Sequence, residues 1–293
     1  DDVITSFPTK EESDSFLKLA QDSLASVKIN LKIVETNKVL GVLWDREKDV
    51  LSIDLSKLAP PREFTRRELL STTHQVFDPL GLIAPFTIRA RMMLQQSWKE
   101  EEGWDKPLSP DLIKAWLAWL EETKYCKPEF KRWIGILHPG QAVYLHTFCD
   151  ASSQAYAAAI YLHIPELNLV QLLTAKARVS PLKNPLTIPR AELMALTIGC
   201  RLTAHVIDNI IKPDQVFFWS DSQTGLQWIK SGTHNKQVFV RNRLAEIARL
   251  TANMPQVEFR YVPSEFNPAD APSRGGTLWS TTYLLWQEGP AFL

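Results

Sequence analysis

Three cysteines in 293 residues, Cys126, Cys149 and Cys200, are too few and too far apart for a disulfide framework or a cysteine-based zinc site. Their odd number and apolar contexts, with no secretory signal, point to a reducing compartment. Net charge is missing too. The 33 basic residues balance 33 acidic ones, so any grip on a polyanion must come from local patches. No apolar run approaches the ~20 residues of a membrane span. No Asp-Thr-Gly or Asp-Ser-Gly occurs, which disfavours the paired-loop carboxylates of an aspartic peptidase. The length allows one or two domains with a sizeable core. The chain opens on Asp1-Asp2 instead of Met and reads as a fragment.

What is present is organised around Ala142 to Leu162, AVYLHTFCDASSQAYAAAIYL. Val143, Leu145, Thr147 and Cys149 alternate with Tyr144, His146, Phe148 and Asp150, the period-2 pattern of a strand that ends on a carboxylate. Ala151-Ser152-Ser153 supplies a turn, and Ala155 to Ile164 reads as a returning strand. Taken alone, Asp150 reads as a turn residue at a hairpin.

Upstream, Glu11 to Val27 carries a helical stripe, and Lys38 to Trp44 with Val50 to Leu55 forms a hairpin. Pro60-Pro61 is a linker. Thr65-Arg66-Arg67-Glu68 fits a capping box flanked by Phe64 and Leu69, and Asp78-Pro79-Leu80-Gly81 breaks the helix it opens. Helices are expected over about Thr87 to Trp98 and from Ser109-Pro110 to Thr123, the latter with Leu112, Trp116, Trp119 and Leu120 as core packing.

Downstream, His138-Pro139-Gly140 marks a turn, and Leu169 to Val179 is a third strand. Arg190-Ala191-Glu192 then opens a long helix whose stripe runs from Leu193 to Ile211. Glu192 lies four residues before Leu196 and so faces the sheet, although a helix-opening glutamate also simply suits the helix dipole. Gln215 to Ser220 is nearly continuous apolar, as a central parallel strand is, and ends on Asp221, a ligand or a helix cap. Val238 to Met254 is an amphipathic helix and Val257 to Val262 an edge-like strand. Asn267-Pro268-Ala269-Asp270 follows at another helix start. Right-handed crossovers gather the carboxyl ends of parallel strands at one rim, which is where functional groups collect in open α/β sheets.

Four carboxylates at one rim repel one another unless cations intervene. Oxygen-only ligands suit Mg2+ or Mn2+ and not zinc. Two such ions about 4 Å apart clamp both oxygens of an in-line displacement at phosphorus. The order Asp, Glu, Asp, Asp differs from that of transposases and integrases, whose glutamate comes last.

FCDAS, PRAELMAL, WSDSQ and NPADAPSRG are similar, in order, to the four catalytic blocks of ribonuclease H. With KVLGVLWD, FTRRELLSTTHQVFDPLGLIAPFTIRARMMLQQSW and GWDKPL, the chain resembles Pao/BEL-type LTR retrotransposon polyproteins, and Asp1-Asp2 resembles the end of the polymerase Tyr-x-Asp-Asp motif. The resemblance implies an α/β fold, a ribonuclease H-like mixed five-stranded sheet with flanking helices, preceded by a smaller α+β thumb/connection region. It implies residues 1–58 as the end of the reverse transcriptase palm, 59–133 as thumb/connection, 134–277 as the ribonuclease H-like domain and 278–293 as a linker. It also implies metal-dependent hydrolysis of RNA in RNA–DNA hybrids. Asp150, Glu192, Asp221 and Asp270 would be the catalytic metal ligands, about 4–8 Å apart, for two Mg2+ ions, with Mn2+ as a substitute. Ser152, Arg190, Gln223 and Asn267 are candidate substrate contacts by position. Partners would be the hybrid and the rest of the reverse transcriptase/integrase polyprotein. The expected location is a cytoplasmic retroelement particle. The alternative is a non-enzymatic nucleic-acid-binding remnant.

Three departures stand out. Ala151 replaces the usual glycine or other small residue with a methyl group, no histidine lies between Val262 and Asp270, and the basic helix insertion is absent, since Ile229 to Gln237 offers only Lys230 and Lys236. Grip is therefore expected from Arg62, Arg66, Arg67, Arg89 and Arg91 upstream.

Overall fold

The computed structural model describes residues 9–27, 38–39, 41–100, 103–125, 127–132, 140–233, 237–278 and 281–293. Asp1-Asp2, Cys126, the expected domain boundary at Trp133/Ile134, His138-Pro139, His234, Lys236 and Trp279 lie outside them. The chain forms two compact units, which meet between Asn37 and Lys38. The first holds helix α1 (Lys10–Ser26), capped by Thr9, whose hydroxyl accepts from the Glu12 amide at 3.2 Å; none of its residues is buried.

In the second unit, short strands β1 (Lys38–Val39), β2 (Val42–Asp45), β3 (Val50–Ser52) and β4 (Glu129–Lys131) pair antiparallel in that order. β4 has no apolar alternation of its own; it forms because β3 offers it an edge, with Leu51 opposite Phe130. Helix α2 (Arg66–Gln75) begins with the expected capping box of Thr65 and Glu68. Helices α3 (Ala84–Ser97) and α4 (Pro110–Glu122) each start on a proline in the first turn, where its missing N–H costs nothing. Phe86 stacks on Trp119 at 4.5 Å, and Trp116 and Trp119 are fully buried, so the aromatic stripe is core.

Strands β5 (Tyr144–Ala151), β6 (Ala155–Ile164), β7 (Leu169–Val179), β8 (Gln215–Ser220) and β9 (Val257–Tyr261) build the expected mixed sheet, in the order β7-β6-β5-β8-β9. β5, β6 and β7 run antiparallel, whereas β5, β8 and β9 are parallel. Between and after them come α5 (Ile188–Asn209), α6 (Gln223–Ser231), α7 (Val238–Thr251), α8 (Asp270–Arg274) and α9 (Thr281–Glu288). One face of the sheet buries Leu145, Cys149, Ile160 and Phe218 against Leu193, Leu196 and Cys200 of α5 and Leu244 of α7. The other buries Phe148, Tyr161 and Ala175 in a core continuous with Phe86, Trp116 and Trp119.

Two glycines show how close the packing is. Gly199 sits mid-helix in α5, where a Cβ would meet Cys149 Sγ at 2.6 Å, so the missing methyl group lets α5 lie directly on β5. Gly81 has φ +73°, and a Cβ there would meet the Ala175 carbonyl oxygen at 2.1 Å. That turn covers the sheet's outer edge: the Ala175 amide and the Thr174 hydroxyl both donate to the Leu80 carbonyl at 2.8 Å.

The tail departs from the linker expectation. α9 buries Trp286 completely; its indole donates to the Leu82 carbonyl at 2.8 Å, and the Tyr161 hydroxyl donates back to the Trp286 carbonyl. Residues 281–293 belong to the second unit, with Tyr283 and Trp286 buried in the core of the helical module and Leu293 packed against it.

Candidate metal centre

The register of the parallel strands places the site. Cys149 of β5 pairs with Ser220 of β8, so Asp150 and Asp221 are the next residues on neighbouring strands at one rim. β8 ends at Ser220 and β5 runs on to Ala151; a turn at Ser152 follows one, and Ser222, whose hydroxyl accepts from the Gly225 amide at 3.1 Å, caps the helix after the other. The close seat of α5, which starts two residues earlier than expected at Ile188, brings Glu192, just past its first turn, over the same rim.

Carboxylate oxygens of Asp150, Glu192 and Asp221 all lie within 4.8 Å of one another. Asp150 is 1% exposed and Glu192 6%. Asp150 Oδ2 accepts a hydrogen bond from the Ser273 hydroxyl, and Asp221 Oδ2 accepts one from Ser264. A backbone amide at Ala151 holds the Glu192 carboxylate. Glu192 Oε2 and Asp221 Oδ1 are buried without a hydrogen-bond partner. Burial first, then the charges of Asp150 and Asp221, push Glu192 up to about 9. Burial likewise pushes Asp150 up to about 6; the Asp221 and Asp270 charges add to this, while the Ser273 hydrogen bond and Arg274 oppose it. Such a site suits a hard divalent cation: all donors are oxygens, two of them lack partners, and the negative charge is poorly compensated.

Asp270 stands apart from that trio. It opens α8, and its Oδ1 accepts from Arg274 Nε one helical turn on. Its charge still reaches Asp150.

The expected substrate contacts divide. Gln223 is exposed and, with Ile188, Pro189, Glu192, Asp221, Ser222 and Thr224, lines a cleft of about 310 Å3. Arg190 is half-buried beside it, donating to Gln237 Oε1 at 2.6 Å with its guanidinium over Phe239. Asn267 is used inside the fold. It is 1% exposed, donates to the Cys149 carbonyl at 3.1 Å and accepts from the Ala269 amide at 3.1 Å, so it pins the loop before α8 to the end of β5. The Ser152 hydroxyl is likewise used internally: it donates to the Ser273 carbonyl at 2.7 Å and accepts from the amides of Gln154 and Ala155. Sequence reasoning missed Ser264 and Ser273, although Ser273 lies inside the NPADAPSRG block.

Of the upstream arginines expected to grip a polyanion, Arg62 is exposed, and the other four are engaged within the chain. Arg66 is buried, donates to Ser97 Oγ at 3.1 Å and stacks on Trp98 at 4.5 Å. Arg89 pairs with buried Glu122 at 2.5 Å, Arg91 donates to the Ala177 carbonyl at 3.4 Å, and Arg67 forms a two-pronged pair with Asp105. Arg66 thus ties α2 to the end of α3, Arg89 ties α3 to α4 and Arg91 ties α3 to β7, whereas the Arg67–Asp105 pair lies exposed at the surface.

The raised acids give the metal-free protein a definite pH dependence. Glu192 titrates near 4.5 when unfolded and near 9 when folded, so the folded state holds its proton more tightly. The stability this brings is complete below about pH 4.5 and is lost as pH rises towards 9. Glu192→Gln removes that loss. Thermal unfolding in chelator is expected to give the variant a midpoint a few °C above the native chain near pH 8, by roughly 2–4 °C per kcal/mol, and a smaller gap near pH 5.

The sequence pattern of a family described as the Pao retrotransposon-like RNaseH-like domain matches residues 65–222, more than half of the chain. No curated protein matches. Among solved structures, a foamy viral protease-reverse transcriptase in complex with RNA/DNA hybrid aligns over 88% of this chain and 34% of its own, with 13% identity and a TM-score of 0.53. Another, the dRH form in complex with ds DNA, aligns over 88% and 44%, with 14% identity and a TM-score of 0.50. RNase H1 from the halophilic archaeon Halobacterium salinarum NRC-1 aligns over 44% of this chain and 92% of its own, at 16% identity and a TM-score of 0.34. The chain thus spans about a third of the first foamy viral protein, whose fold it shares at low identity. The matched stretch runs from the capping box of α2 to the rim at Asp221 and takes in three of the four expected ligands. By that match the chain belongs to the Pao retrotransposon-like RNaseH-like domain family.

Proposed function

We propose that this chain hydrolyses the RNA strand of RNA–DNA hybrids with divalent metal ions, Mg2+ by preference and Mn2+ in its place, as the ribonuclease H part of a retrotransposon reverse transcriptase polyprotein. The observation that carries this reading is the convergence of Asp150, Glu192 and Asp221 within 4.8 Å, with two buried oxygens lacking partners. When bound, the ions supply Lewis acidity at the scissile phosphate and lower the pKa of the attacking water. Asp150, Glu192 and Asp221 would hold them, with Asp270 as a further ligand. Ser273 and Ser264 each fix one oxygen of Asp150 and Asp221, which leaves the other oxygens aimed into the rim. Gln223 lines the approach and Arg190 stands beside it, held by Gln237, so that an amide and a guanidinium would suit the 2′-hydroxyls and phosphates of an RNA strand. Functionally, residues 1–58 belong to the palm end, 59–133 to thumb and connection and 134–277 to the nuclease. The nuclease would work inside a cytoplasmic retroelement particle; among the described residues no helix is long and apolar enough to cross a membrane.

A cluster of mutually repelling acids with two partnerless buried oxygens destabilises the empty fold, which favours an enzyme over a nucleic-acid-binding remnant. The test uses one labelled RNA sequence paired with DNA, paired with RNA and unpaired, each with Mg2+ or chelator, beside a DNA duplex. Cleavage restricted to the hybrid and abolished by chelation is expected. Cleavage that persists in chelator, or equal attack on the DNA duplex, contradicts the proposal.

A further inference from the structure

Arg274 lies next to the site and has no part in the reading above. It ends α8, Gly275 follows it at φ +85°, and its Nε donates to Asp270 Oδ1 four residues back. The arginine side chain is 62% exposed and that of Asp270 32%, so the pair sits at the mouth of the site and is free to part. Asp270 is the one expected ligand outside the converging trio, and it is the one that holds a cation. The Arg274 charge also bears on Asp150, Glu192 and Asp221, so it acts on the whole cluster.

We propose that Arg274 is a positioning residue, an internal counter-cation that holds Asp270 aside in the metal-free protein and competes with a divalent ion for its carboxylate. This rests on the metal-dependent reading above. A fixed guanidinium and an incoming dication cannot both take the same lone pairs of Asp270 at full strength, so the ion must displace the arginine. Arg274 then points outward from the rim as a free cation, placed for a substrate phosphate. The two roles alternate. In the empty site the arginine offsets the carboxylates, and in the loaded site it is released to the polyanion.

This scheme gives a pattern of signs that a purely structural arginine does not. Removing the competitor should destabilise the empty protein yet tighten metal binding. Mn2+ binding is measured by calorimetry at low ionic strength on the whole chain, for the native protein, Arg274→Gln, Arg274→Lys and Asp150→Asn, with thermal unfolding in chelator alongside. Arg274→Gln is expected to unfold earlier in chelator and to bind Mn2+ about three- to fivefold more tightly, the scale of one half-exposed ion pair. Arg274→Lys, which keeps the charge, should stay within about twofold of the native protein. Unchanged or weaker Mn2+ binding by Arg274→Gln overturns the proposal. If the native chain binds Mn2+ and Asp150→Asn does not, that failure leaves the metal-site reading intact. If no protein binds Mn2+, both fall.

Discussion

Replacing Asp150 by asparagine is expected to lower cleavage of the RNA strand by roughly three orders of magnitude or more, while the protein stays folded and gains stability in chelator. The carboxylate lies at the centre of the site: it is 1% exposed, within 4.8 Å of both other acids and anchored by Ser273. Asparagine preserves its shape and can still accept the Ser273 hydrogen bond, so packing changes little. What disappears is the charge that attracts a cation. In the empty site that charge is a liability, because burial and the neighbouring acids already push Asp150 up to about 6. Its removal therefore relieves repulsion on Asp221 and Glu192. Steady-state cleavage of labelled hybrid, paired with thermal unfolding in chelator, checks both halves. Near-native cleavage, or a clear loss of metal-free stability, argues against a metal-holding role.

Trp286→Ala is expected to cost about 3–5 kcal/mol of stability, the range for deleting a fully buried large aromatic side chain. The indole is 0% exposed, packs in the core shared by the helical module and the sheet, and donates to the Leu82 carbonyl. Its loss leaves a cavity and strands that carbonyl. The α3–β7 contact and the Gly81 edge turn lie on either side of Leu82, so docking of the module on the sheet should weaken along with global stability. Urea unfolding followed by tryptophan fluorescence measures the change. A cost under about 1 kcal/mol would show that residues 281–293 behave as the linker their sequence suggests.

The contrast between Asp150 and Trp286 shows which parts of this molecule its sequence announces. Strands β5, β6, β7 and β8 are legible almost to the residue, because alternation or continuous apolarity is written along each of them. Asp150, Glu192 and Asp221 are legible because strand ends and the start of a helix fix where a side chain points. The rest depends on partners far along the chain. β4 is three residues long and exists only by pairing with β3. Trp286 in a short, weakly amphipathic segment looks like any exposed aromatic until the Leu82 carbonyl and Tyr161 are known. Arg66 looks like a basic patch with Arg67, yet it is buried by Ser97 and Trp98, some thirty residues away. Asn267 and Ser152 were placed near the substrate by proximity in sequence to the acids. Their hydrogen bonds face inward. Ser273 and Ser264 carry no pattern that marks them; only the fold makes them partners of Asp150 and Asp221.

The most direct measurement is the location of bound ions in crystals of the native chain soaked in Mn2+, read from anomalous scattering. A peak is expected at the rim between Asp150, Glu192 and Asp221, with carboxylate oxygens at roughly 2.0–2.3 Å, and a second within reach of Asp270. An empty rim, or ions bound only by other side chains, would contradict the assignment of these acids as a metal centre.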